Sequence, residues 1–189
     1  MKSKLLIGSA IFLLAFGTSC YKSANTTLLQ QKGKEKSTVL QLLQQIDSVE
    51  NLGEIDFDAL TNFIDSAKSF SNKYPEDPMT PEFLYRSGLI AMTIAKASNN
   101  FEETKLFCKT ALVIFDDIQM IYPDFNGVKN CILNKGVIYE DILHDFDNAE
   151  IFYREFIAKY PTDTLAINIE SYLPYLGKSP EEIMSKTGK

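Results

Sequence analysis

From Ser37 onward, apolar residues return every three or four positions, the period of helices that bury one face. Val39, Leu40, Leu43 and Ile46, with Leu42 beside them, form the first stripe, and Asn51-Leu52-Gly53 stops it. Asp56 or Asp58 can cap a second helix that carries Leu60, Phe63, Ile64, Ala67 and Phe70 and ends at Tyr74-Pro75. Thr80-Pro81-Glu82 opens a third, with Thr80 as N-cap and Pro81 in the first turn, where its missing N–H has no partner to lose. That helix runs to about residue 98, and Asn99-Asn100 turns the chain into a long fourth helix over 101–122, closed by Pro123. A fifth is expected over about 127–143, a sixth over 146–160 and a seventh over 164–176.

Leu176-Gly177 reads as a helix end with glycine in the left-handed conformation. Ser179-Pro180-Glu181-Glu182 then starts a short eighth helix with a capping box between Ser179 and Glu182. No alternating run bounded by hairpin signals occurs. The expected fold is therefore all-α, with about seven or eight helices in a domain over 37–189.

The first 36 residues follow another pattern. Lys2 and Lys4 precede an apolar run of 12 residues, Leu5 to Phe16, and the small residues Gly17, Thr18 and Ser19. Twelve helical residues reach only about 18 Å against a hydrocarbon core of roughly 30 Å, so residues 1–19 read as a signal peptide and not as a membrane span. Cys20 follows directly and resembles the acylated cysteine of a bacterial lipoprotein box, although Gly17 stands where the usual box has leucine. The resemblance implies lipidation at Cys20 and stable anchoring through several acyl chains. It places the chain at the outer membrane with the domain facing the periplasm; ordinary secretion after Ser19 is the alternative. Residues 20–36 are polar and lysine-rich with little periodicity, and read as a flexible tether.

The helical region also repeats itself. Ala149-x3-Tyr153-x2-Phe156-x4-Pro161 recurs as Ala111-x3-Phe115-x2-Ile118-x4-Pro123 and, more weakly, as Phe63-x3-Ala67-x2-Phe70-x4-Pro75. Upstream of the best copy stand Ile132, Gly136 and Tyr139, spaced four and three apart; one repeat earlier stand Leu84, Gly88 and Ala91. The small residues let paired helices approach, aromatic rings fill the space between them, and proline ends the second helix.

This pattern resembles the tetratricopeptide repeat over roughly residues 57–176, clearest at about 81–124 and 129–162. With its C-terminal YLGKSPEEI capping segment (177–189 in the domain plan), the chain is similar to small tetratricopeptide lipoproteins of Bacteroidota and, in plan, to a shortened BamD-type outer-membrane lipoprotein. About eleven extra residues between Gly88 and Ala111, and one between Tyr139 and Ala149, depart from the family spacing.

The resemblance implies antiparallel helix pairs stacked into a short right-handed solenoid. It also implies a concave face formed by Glu82, Tyr85, Arg86, Leu89 and Met92 on the third helix and Asn130, Leu133, Asn134, Val137 and Asp141 on the fifth. Such a face suits an extended or helical peptide; the competing reading buries the third helix's set against the first two helices. The implied function is a non-enzymatic scaffold or adaptor that holds an unknown protein or peptide partner in the cell envelope. A self-associating structural subunit, stacked end on end, is the alternative.

Composition narrows the remaining chemistry. The chain has 189 residues, 45% hydrophobic and 23% charged, which fits one globular domain and excludes a disordered or fibrous one. Net charge is −6, and setting aside Lys2 and Lys4 leaves −8; with only Arg86 and Arg154, a nucleic-acid surface is not expected. His144 is the only histidine, which excludes a multi-histidine metal site. It falls in a turn where the family usually has glycine, and a left-handed turn role is favoured over a dyad with Cys108 or Cys131.

Those two cysteines are expected to be free. On consecutive antiparallel helices, residue 108 stands level with about 141, so Cys131 is offset by about 15 Å, far beyond disulfide reach. The acidic pairs at 102–103, 116–117, 140–141 and 181–182 read as solvated faces and first-turn charges. No phosphate loop, nucleophile elbow or zinc-protease motif occurs, so no cofactor, metal or small-molecule substrate is expected.

Overall fold

The computed structural model describes residues 11–50 and 56–187. Its helices are α1 (Ile11–Glu50), α2 (Phe57–Lys73), α3 (Thr80–Ala97), α4 (Phe101–Ile121), α5 (Val128–Val137), α6 (Phe146–Lys159), α7 (Thr164–Tyr172) and α8 (Pro180–Thr187). A π turn, Ile138–Ile142, continues α5, and a 3₁₀ turn, Leu173–Tyr175, continues α7. No strand occurs among the described residues. The fold is all-α, and packing is heaviest between helices consecutive in the chain.

Side-chain caps set most helix starts. Asp56, Asn100, Asp145 and Asp163 each accept backbone N–H bonds from the first turn of α2, α4, α6 and α7. Ser179 and Glu182 form the expected capping box, with Ser179 N–H donating to Glu182 Oε2 at 2.8 Å and Glu182 N–H donating to Ser179 Oγ at 3.3 Å. Gly177 has φ +71° and His144 has φ 52°, so both expected left-handed positions occur. The Asn51-Leu52-Gly53 stop lies outside the described residues, as do residues 1–10 of the signal sequence.

The three aromatic-Pro signals produce one turn, used three times. Tyr74, Tyr122 and Tyr160 end α2, α4 and α6 with φ of −133°, −125° and −131° and ψ of 58°, 58° and 55°. Each tyrosine carbonyl accepts the N–H three residues on, from Asp77, Phe125 and Asp163, at 3.0 Å. Proline after each tyrosine disfavours the helical conformation there, which ends the helix and presents the carbonyl to the turn.

Two hairpins share a close approach. A Cβ placed on Gly88 would lie 2.5 Å from Phe115 Cε1, and one on Gly136 would lie 2.5 Å from Tyr153 Cε1. Phe115 and Tyr153 are both buried, beside Ala111 and Ala149, which are fully buried. The small-residue and aromatic positions of the repeat thus meet in α3/α4 and again in α5/α6. The extra residue between Tyr139 and Ala149 is taken up in the π turn, where Leu143 N–H donates to Ile138 C=O at 3.0 Å, an i→i+5 bond.

Three expectations are corrected. Thr80 is not the N-cap of α3: Met79 holds that place, and Thr80 is buried with Oγ1 donating to Tyr74 C=O at 2.7 Å. Its hydroxyl thus adds a second donor to the Tyr74 carbonyl, and Asp77 accepts Met79 N–H at 2.9 Å in the turn ahead of α3. The seventh helix stops at Tyr172 because Pro174 has no N–H to continue it.

The third correction concerns residues 20–36, expected as a flexible tether, which are helical within α1. Lys32 and Lys36, one turn apart, each reach Asp77 at 2.9 Å, and Lys73 reaches Glu35 at 3.0 Å. Their attachment is ionic and leaves no apolar periodicity to read; Leu28 and Leu29 stay exposed.

Asp77 is 5% exposed. Burial pushes its carboxyl up, but hydrogen bonds from Lys32, the Met79 N–H and Lys36 outweigh that and hold it at about 2. Its folded pKa is depressed, so the stability it contributes is full above its unfolded pKa of about 3.9 and is lost as pH falls through about 2. At neutral pH, Asp77→Asn should cost about 2 kcal/mol in chemical unfolding, and the difference from wild type should shrink below pH about 4. A difference constant down to pH 2 would contradict the assignment. Gly136→Ala should overpack against Tyr153 and lose about 1–3 kcal/mol despite alanine's higher helix propensity. Gly33→Ala, at a helical glycine with nothing within 4 Å of an added Cβ, should raise the melting temperature.

Candidate functional site

A groove of about 240 Å³ opens between α3 and the end of α5 with its π turn. Leu89 and Met92 from α3 face Val137 and Ile142, and Thr93 completes the lining. Lys96 Nζ stands 3.8 Å from Asp141 Oδ2 at its charged edge, with both side chains exposed. Successive helical turns of α3 supply Leu89, Met92 and Lys96 to one side. The apolar side chains are half-buried against the core, so the groove has a supported floor.

Of the residues expected on a concave face, Leu89, Met92, Val137 and Asp141 come together here. The others go elsewhere. Tyr85 rests against Phe115 and Phe125, ring centroids 6.1 Å and 5.9 Å away, and belongs to the edge of the core. Those partners lie on α4 and in the turn after it, so burial against the first two helices is not what holds the ring. Arg86 Nε pairs with Glu82 at 3.3 Å on the exposed side of α3. Leu133 packs into the smaller core cluster with Ile132, Ala149 and Phe156. Asn130 and Asn134 are half-buried, and Asn134 Nδ2 is buried without a hydrogen-bond partner.

Sequence reasoning missed Thr93, Lys96 and Ile142. Lys96 lies on the same helical stripe one turn beyond Met92 and was open to that extrapolation. Ile142 was not, because the π turn rotates the chain away from a regular helical wheel.

The π turn beside the groove is tied to two further helices. Glu140, on the π turn, accepts hydrogen bonds from Tyr153 Oη at 2.5 Å on α6 and from Tyr172 Oη on α7. Burial, then Glu140, push the Tyr153 hydroxyl well above its ordinary range, and the same causes push Tyr172 up to about 12. Both therefore act as donors at neutral pH and tie α6 and α7 to the segment that carries Asp141 and Ile142.

Other reactive groups are placed as structure. Cys108 and Cys131 are free and buried, and burial pushes their thiols up to about 11 and about 12. Neither is a thiolate at neutral pH. His144 is exposed in its turn while both thiols are buried, so no dyad is assembled. Among the described residues, no group of three His, Cys, Asp or Glu could hold a metal, and no helix is long and apolar enough to cross a membrane. Comparison with protein-family models, curated proteins and solved structures finds no match to the chain.

Proposed function

We propose that this chain is a non-enzymatic scaffold of tetratricopeptide-like helix pairs, exported and lipid-anchored through Cys20, that holds a protein segment in the bacterial cell envelope. The observation that carries the binding role is the α3–α5 groove. Four residues from two different helices present an apolar strip, closed at one edge by opposite charges from Lys96 and Asp141. Burying an apolar side chain on that strip would contribute about 1.5–3 kcal/mol, and the charged edge would orient the segment more than it would tighten it. Support for a repeat scaffold comes from the thrice-used Tyr-Pro turn and the two Gly–aromatic contacts. Support for anchoring comes from the basic, apolar and small-residue order ahead of Cys20.

Two measurements test the two halves of this reading. A tagged full-length chain should recover a stoichiometric foreign protein from solubilised membranes, and Met92→Asp should lose that protein while its circular dichroism stays helical. Retention of the partner by Met92→Asp would place binding elsewhere. Palmitate should label the wild-type chain and not Cys20→Ala; a labelled variant, or an unlabelled wild type, removes the anchor.

A further inference from the structure

A second groove lies on another face and shares no lining residue with the α3–α5 groove. It has a volume of about 480 Å³ and lies along α2 and α4 over Leu84. On α4 an apolar stripe is left open: Leu106, 59% exposed, and Val113, 49%, line the groove, and Met120, 74% exposed, extends the stripe seven residues beyond Val113, outside the groove's lining. In a buried helix that stripe would be covered, since positions seven apart share one face.

The charges on the same face follow a symmetric order about Val113. Lys109 stands four residues before it and Asp117 four after; Leu106 stands seven before and Met120 seven after. Lys109 and Asp117 both line the groove, as does Lys68 from α2. Among the described residues, none of these three charges has an opposite charge within ion-pair distance.

A helix with this order is complementary to itself when reversed. Turned about a two-fold axis through Val113, a second α4 sets its Asp117 against Lys109, its Lys109 against Asp117, and its Met120 against Leu106. Val113 then meets Val113. A parallel pairing would instead put like charges together, and each misplaced pair would oppose association. We propose that two copies of this chain pair antiparallel through α4, about an axis at Val113, in an isologous interface. The pairing leaves the α3–α5 groove open, so a dimer offers two binding grooves, independent of whether that groove has the role proposed above.

Because each substitution occurs twice in such an interface, its effect doubles. In sedimentation of the full-length protein, Val113→Asp should weaken the dimer by at least about tenfold. Lys109→Glu and Asp117→Lys should each weaken it by about tenfold, and the two together should return it to within about threefold of wild type. All three positions are on the surface of α4, and circular dichroism checks that the variants stay helical. In a Cys20→Ala background, Val113→Cys should give a covalent dimer with a short bismaleimide, which the same background with Val113 kept, its Cys108 and Cys131 buried, should not match. Met92→Asp should leave the dimer unchanged. A wild type that is monomeric at all concentrations would falsify the pairing. So would a dimer indifferent to Val113→Asp, or a double charge swap that fails to restore association.

Discussion

Two aromatic rings lie where side chains of the facing helix would otherwise be. Phe115 occupies the space over Gly88, and Tyr153 occupies the space over Gly136. Without a Cβ on the glycine, each helix pair closes until ring meets backbone, which brings the alanines beside each ring, Ala111 and Ala149, to full burial. Helix spacing is set by the side chains at the contact, so these rings set the spacing of α3 against α4 and of α5 against α6. Tyr153 adds a constraint that Phe115 lacks. Its buried hydroxyl needs an acceptor, and Glu140 supplies one from the π turn. The extra residue that spoils the repeat spacing is therefore also the device that fixes α6 and α7 to α5.

Charge plays a second, sparser part. The chain is acidic overall, and several of its lysines join separate elements. Lys135 is 5% exposed, with Nζ 2.7 Å from Asp116 on α4 and 4.5 Å from the centroid of Phe152 on α6. Lys32 and Lys36 join α1 to the turn before α3 through Asp77. A buried charge is tolerated only where it is paired, and these pairs are specific to one arrangement of the helices. They hold position more than they add stability. The consequence for α1 is direct: its middle is part of the body, so Cys20 stands on a helix that the fold grips twelve residues later.

The two grooves differ in what an occupant must bring. The α3–α5 groove already has its charges satisfied, Lys96 against Asp141, and offers chiefly apolar contact. The α4 face keeps its charges unsatisfied and ordered. In the proposed roles specificity would be stronger on α4, where a wrong partner would meet like charge, and weaker on α3–α5, where a wrong partner would lose only fit. Such a division suits a scaffold that would be strict about its own assembly and permissive toward a bound segment.

The local grammar of the sequence determined most of the fold. Helix periods, the caps at Asp56 and Asn100, the left-handed His144 and Gly177, the capping box at Ser179 and the Tyr-Pro stops all rest on short-range sterics and hydrogen bonds, which neighbours in sequence suffice to decide. The free state of Cys108 and Cys131 was legible for the same reason, from rise per residue alone. What the sequence could not decide depended on distant partners. Thr80 gives its hydroxyl to the Tyr74 carbonyl six residues back, and residues 32–36 are bound by a carboxylate some forty residues on. Of the expected concave face, only Leu89, Met92, Val137 and Asp141 meet, because Tyr85 and Leu133 are claimed by aromatic and core contacts that a helical wheel does not contain. Periodicity says which side of a helix is apolar; only the packed structure says which neighbour covers it.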